Sequence, residues 1–218
     1  MGKITTILFD YDGTLMDTDE IIIDAWQYTY RKMTGKELSV EEILESFGEP
    51  LRETMMKYFT GEPLEEAIEI HRRHQTDTYL ERLEMFPGMR ELPLELKEKG
   101  YKLAVVTSRR TPTTIMGLEK FQLMDAFDCI VTADDTVKHK PEPEPAIFAM
   151  EKLNSRPEET IMVGDTVMDI GCGQAAGVKT VMATWALAAQ KDLGGMVPDY
   201  RINAAEELWS VLEALDAE

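Results

Sequence analysis

From about residue 88 onward, short runs of branched apolar residues alternate with stretches of helical periodicity. That alternation narrows the fold more than any other feature of the chain. Strand-like runs fall at 101–107, 127–132, 160–164 and 179–183, with a weaker one near 199–202. Helical stretches lie near 88–98, 112–121, 143–153, 168–176 and 204–215. An earlier run, Ile4-Thr5-Thr6-Ile7-Leu8-Phe9, is of the same buried-strand kind. Strands separated by helices specify a parallel sheet covered by helices on both faces, so an α/β, doubly wound fold is expected. Pro93 interrupts the first helical stretch, where an interior proline costs ~3 kcal/mol. It marks a kinked or late-starting helix.

Between Asp17 and about residue 101 the strand pattern disappears. Asp19 can cap a helix running through Met33, with Gly35 as its stop. Ser39-Val40-Glu41-Glu42 is a capping box opening a short helix that ends near Phe47-Gly48. Pro50 can start another through Tyr58, and Pro63 a longer one to about Glu84. The expected organisation is a core built from residues 1–15 and 84–218, with an all-helical insert at 16–83. Pro87-Gly88 returns the chain to the core. A chain of 218 residues can bury a core of that size.

Asp10 and Asp12 lie one residue apart, just past the first strand, in ILFDYDGTLMDT. Open α/β sheets place ligands at the carboxyl ends of their strands. Two carboxylates this close repel unless a positive group joins them. A hard divalent cation such as Mg²⁺, which prefers oxygen ligands, meets that need. Three further polar clusters occupy comparable places. Thr107-Ser108 ends the strand at 101–107, Lys140-Pro141 precedes a helix, and Gly164-Asp165 ends the strand at 160–164 with Asp169 four residues on.

Acid, hydroxyl, lysine and acid in that order resemble the four motifs of the haloacid dehalogenase superfamily of phosphohydrolases, over nearly the whole chain. The resemblance implies a core with an inserted helical cap, and Mg²⁺ as cofactor. Asp10 would be the nucleophile, forming an aspartyl-phosphate; a strand-end aspartate can also merely cap a turn. Asp12 would act as general acid and base. The superfamily's dehalogenases lack an acid there, so its presence favours phosphoryl transfer. The amides of Tyr11–Gly13 could cradle phosphate oxygens. Thr107 would donate to a phosphoryl oxygen, and Ser108 stands where relatives often carry asparagine and would touch substrate. Lys140, rather than Lys138, would neutralise the phosphoryl group and Asp10, because Lys-Pro in KPEPEP matches the family motif. Mg²⁺ would be held by the Asp10 carboxylate, the Asp12 backbone carbonyl and Asp165. Asp169 would bind it through water or orient the other ligands, a role compatible with a helix N-terminal carboxylate. Gly164 would allow a sharp turn. In the insert, Arg52 is the candidate for the substrate's distal group, with Arg72 behind it. Arg72, Arg73, His71 and His74 read as a solvated helix face. Asp17 and Asp19 read as loop and cap residues.

The segments VMATWALAAQKDL, MVGDTVMDI and KPEPEP resemble the pyrophosphatase and phosphoglycolate phosphatase branch. Hydrolysis of a small phosphorylated metabolite is therefore expected, with inorganic pyrophosphate ahead of 2-phosphoglycolate. The rivals are a sugar-phosphate mutase of the β-phosphoglucomutase kind and a catalytically idle, phospholigand-binding regulator. A net charge of −18 argues against nucleic acid and anionic membranes as partners. The cationic groups that meet the substrate must then be local. Cys129 and Cys172 form no C-x-x-C pair, and Cys129 reads as a core thiol. No apolar run approaches the ~18 residues needed to span a membrane. With strand one so near the N-terminus, cytoplasmic residence is expected, as a monomer or weak homodimer.

Overall fold

Ile7, Leu8 and Phe9 are fully buried because their strand, β1 (Thr6–Phe9), has neighbours on both sides. In the computed structural model, which describes residues 3–217, β1 pairs in parallel with β4 (Lys102–Val106) and β6 (Thr160–Gly164). The sheet continues through β5 (Cys129–Val131) on one side, and through β7 (Lys179–Ala183) and β8 (Tyr200–Ile202) on the other. The order is β5-β4-β1-β6-β7-β8, parallel throughout.

Successive strand residues point to opposite faces, and both faces are apolar. Ile7, Phe9, Leu103, Val105, Ile161 and Val163 pack on one face against helices α5 (Glu91–Glu98), α6 (Thr111–Lys120) and α9 (Glu207–Asp216). Leu8, Ala104, Val106 and Met162 pack on the other, against α7 (Glu144–Leu153) and α8 (Val167–Ala176). Each large aliphatic chain buried this way contributes roughly 1.5–3 kcal/mol. The doubly wound α/β core matches the sequence reading. Cys172 belongs to the second cluster, whereas Cys129 is half-buried at its edge.

Between β2 (Met16–Asp17) and β3 (Glu84–Met85) run four helices. They are α1 (Asp19–Thr34), α2 (Val40–Leu44), α3 (Leu51–Met55) and α4 (Glu62–Arg82). Trp26, Ile43, Met55, Leu64 and Ile68 give them a hydrophobic cluster of their own. β2 and β3 pair antiparallel where the chain leaves and re-enters the core. The sequence reading has no counterpart for this ribbon.

Local details correct three expectations. The Ser39–Glu42 capping box forms, but Asp19 caps nothing. It is the first residue of α1, behind Thr18, and its Oδ2 accepts from the Leu187 amide at 2.9 Å. The helix expected from 88 begins only at Glu91. Pro93 therefore falls in the first turn, where a missing N–H costs no intrahelical bond. His71 does not lie on a solvated face: it is 2% exposed and meets the Trp26 ring edge-on at 5.4 Å. No helix among the described residues is long and apolar enough to cross a membrane.

Candidate active site

The chain proceeds from β1 to one half of the sheet and later fills the other half, so the strand order reverses beside β1. That switch point opens a crevice at the carboxyl ends of the strands. Asp10 directly follows β1, Thr107 follows β4 and Asp165 follows β6. All three are buried at the crevice, with Lys140 and Asp169.

Two glycines bring the loops together. Gly13 has φ +77°, and a Cβ there would lie 2.2 Å from Asp165 Oδ2. The loop after β1 is thus seated on the Asp165 carboxylate, which also accepts from Thr14 Oγ1 at 3.2 Å. Gly164 adopts no left-handed conformation, and the chain bends just after it, at Asp165 and Thr166. It must be glycine because a Cβ would meet Asp169 Cβ and Cγ at 2.3 Å.

Lys140 Nζ bridges two carboxylates, donating to Asp10 Oδ1 and Asp169 Oδ1, each at 2.6 Å, and to the Val106 carbonyl at 3.2 Å. Burial alone would depress the ammonium, but Asp10 and Asp169 outweigh it and hold the lysine charged. Lys138 instead pairs with Glu142 at the surface. Asp169 closes a capping box at the start of α8, where its Oδ2 accepts from the Thr166 amide and hydroxyl. Its helix-terminal and site roles thus coexist. Asp10, Asp165 and Asp169 each offer an oxygen within 4.8 Å of the others. Burial, then repulsion from Asp169, pushes Asp10 up to about 7 despite Lys140. Burial, then repulsion from Asp169 and Asp10, raises Asp165 well above the usual carboxylate range. A site this rich in buried negative charge is short of cation.

Asp12 is not among the three clustered carboxylates. Arg109 Nε donates to its Oδ1 at 3.0 Å and its Oδ2 at 2.9 Å, and Nη2 donates to Oδ1 at 2.7 Å. The guanidinium is buried, 4.8 Å from the Tyr79 ring centroid and 5.7 Å from that of Tyr11, whose hydroxyls bond each other at 2.7 Å. The Arg109 amide donates to Thr107 Oγ1, which leaves the threonine its own proton for a ligand. Ser108 Oγ donates to Gly48 O and so ties the core to the helical insert. Lys191 makes a second tie to Leu44 O. Of the amides proposed as a cradle, Gly13 N–H is committed to Met16 O.

Core and insert enclose a cavity of about 460 Å³. Asp10, Asp12, Thr107, Ser108, Lys140 and Asp165 line it from the core. Arg52, His71 and Arg72 line it from the insert. Arg52 is exposed and held by both oxygens of Glu65, at 2.8 and 2.7 Å. Arg109 and Arg110 line the cavity without having been named from the sequence, and His71 lines it although it was read as solvated. Arg109 could have been suspected from its place three residues beyond the end of β4.

Residues 7–183 match the family of haloacid dehalogenase-like hydrolases. The chain belongs to this family. A pyrophosphatase PpaX of Bacillus mycoides is 37% identical over 214 residues, covering 98% of this chain and 99% of the relative. A protein of the same name from Bacillus cereus is 36% identical with the same coverage. Among solved structures, the haloacid dehalogenase-like protein SP0104 of Streptococcus pneumoniae superposes with TM-score 0.84 at 26% identity, covering 95% of this chain and 98% of that one. A predicted phosphoglycolate phosphatase of Haemophilus somnus superposes with TM-score 0.88 over 97% of this chain and 99% of that one, at 19% identity. This likeness is one of fold.

The family's metal is Mg²⁺, and the residues present suit it. All three clustered donors are carboxylate oxygens, the hard ligands Mg²⁺ prefers, and their mutual repulsion calls for a cation.

Proposed function

We propose that this hydrolase is a Mg²⁺-dependent phosphatase acting through an aspartyl-phosphate on Asp10, with inorganic pyrophosphate as first substrate and 2-phosphoglycolate as second. The observation that carries the reading is the buried lysine bridge. Lys140 holds Asp10 Oδ1 at a strand end inside a cavity, beside two further carboxylates able to hold a cation. The identity of nearly full-length relatives named pyrophosphatase supports the choice of substrate.

In this reading Lys140 fixes Asp10 through Oδ1, and Oδ2 attacks phosphorus. The bond to the leaving oxygen breaks as the aspartyl-phosphate forms. Asp12 protonates the leaving oxygen, then takes the proton of the water that attacks the same phosphorus and frees Asp10. Thr107 donates its hydroxyl proton to a phosphoryl oxygen. Asp10, Asp165 and the Asp12 carbonyl would hold Mg²⁺, with Asp169 joining through water. The ion would neutralise charge on the transferring group. The insert would close over the substrate, exclude water, and open for release.

A phosphate-release screen with Mg²⁺ tests the proposal, using pyrophosphate, 2-phosphoglycolate and common sugar and nucleotide phosphates. The expected result is highest kcat/KM on pyrophosphate. Glucose 6-phosphate formed from β-glucose 1-phosphate would establish a mutase, and no turnover on any member would establish a binding protein.

A further inference from the structure

Five buried side-chain polar atoms lack a hydrogen-bond partner among the described residues: Thr18 Oγ1, Asp19 Oδ1, His71 Nδ1, Arg109 Nη1 and Thr136 Oγ1. The first four belong to residues lining the cavity between core and insert. Buried polar atoms are normally paired, so such a concentration marks where a polar ligand completes the structure. Arg109 Nη1 is the cationic donor of the four. A guanidinium carries five N–H donors, and Nε and Nη2 alone make the bonds to Asp12. The Nη1 hydrogens remain free while the fork stays closed.

The group cannot swing away easily. Its side chain is 6% exposed, and the Tyr11 and Tyr79 rings lie beside it. Tyr11 belongs to the nucleophile loop and Tyr79 to α4, so both sides of the cavity fix the guanidinium. Arg52, the candidate for a distal group, also lines the cavity but is exposed and engaged by Glu65.

We propose that Arg109 is the leaving-group residue: Nε and Nη2 position the Asp12 carboxylate, while Nη1 binds a negatively charged leaving group. The substrate class is thereby narrowed to phosphoric anhydrides and phosphoesters whose leaving portion carries an anion. As the bond to phosphorus breaks, its electron pair stays on the leaving oxygen. A fixed cation beside that group stabilises the charge that develops. The second phosphate of pyrophosphate and the carboxylate of phosphoglycolate share this chemistry. The inference rests on the phosphatase reading for the reaction, but not for the binding of the anion.

The test uses the full-length enzyme with Mg²⁺ and two variants. Arg109→Met removes charge and fork, whereas Arg109→Lys keeps the charge but cannot span Asp12 bidentately. Steady-state kinetics on pyrophosphate, phosphoglycolate and an aryl phosphate with an uncharged ring give the first readout. Arg109→Met should lose roughly 100-fold in kcat/KM on the anionic substrates, and at least about tenfold less on the aryl phosphate. Arg109→Lys should recover KM on the anionic substrates while kcat stays low, because Asp12 is no longer positioned. Pyrophosphate and phosphoglycolate losses compared side by side identify which anion Nη1 serves. Equal losses on all three substrates, or none, would overturn the proposal. Calorimetric binding of methylenediphosphonate, beside inorganic phosphate, is the second readout and needs no turnover. Arg109→Met should weaken the diphosphonate by roughly 10- to 100-fold and phosphate much less. Equal weakening of both ligands, or none, would overturn the proposal. If wild type turns over none of the panel, the phosphatase reading fails while the binding comparison still decides this one.

Discussion

Two lysines separated by one residue meet opposite fates. Lys140 is buried and bridges Asp10 to Asp169, whereas Lys138 reaches Glu142 in solvent. Lys140→Ala leaves two buried carboxylates without their cation and should reduce kcat by about 10²-fold or more. Lys138→Ala should leave kcat near wild type; equal, small losses in both would make the KPEPEP segment merely structural. His71 supplies a pH prediction. Burial, with Arg109 nearby, lowers it from 6.5 to about 3, so it stays neutral in the folded protein. Below the unfolded value the unfolded chain binds a proton that the folded one refuses. Stability is therefore full above that value and falls as pH falls. Between pH 7 and 5 the loss from this group is about 2 kcal/mol. Urea midpoints at both pH values, in wild type and His71→Gln, measure it, and the variant should lose less. At this scale Asp10 and Asp165 were legible because their places at strand ends fix what they face, and Lys140 because Lys-Pro in KPEPEP resembles the family motif. Arg109 and His71 were not, because whether a long or amphipathic side chain is buried depends on a partner far away in sequence. Tyr79 and Trp26 are those partners.

Strand ends carry the site, and the packing between β6 and α8 shows how tightly. Gly164, the last residue of β6, lies against the Asp169 side chain with no room for a methyl group. Gly164→Ala should displace Asp169 from Lys140. The expected cost is about 1–3 kcal/mol of stability together with a loss of kcat. Thermal unfolding beside kinetics checks both, and a variant with wild-type Tm and rate would show that the carboxylate has room to move. Most helices and strands were legible within a few residues because each carries its own period and punctuation. The Ser39–Glu42 box is the clearest case. The β2–β3 ribbon was not legible, since two residues per strand hold no period. Asp19 was misread because its amide-donating partner, Leu187, lies 168 residues away.

The molecule as a whole is strongly acidic, yet its cavity gathers Arg52, Arg72, Arg109, Arg110 and Lys140. In the proposed function these local cations, together with a bound metal, would meet an anionic substrate within an unfavourable global charge. Arg72 shows the crowding: burial and then its neighbours Arg110 and Arg52 lower its pKa. The central claim is that Asp10 becomes phosphorylated during turnover. Acid quenching of enzyme turning over pyrophosphate with Mg²⁺, followed by peptide mass spectrometry, tests it most directly. The account predicts a phosphoryl group on the Asp10 peptide in wild type, with neither that adduct nor turnover in Asp10→Asn. An Asp10→Asn enzyme within about tenfold of wild-type kcat, with no adduct on the wild-type peptide, would contradict it.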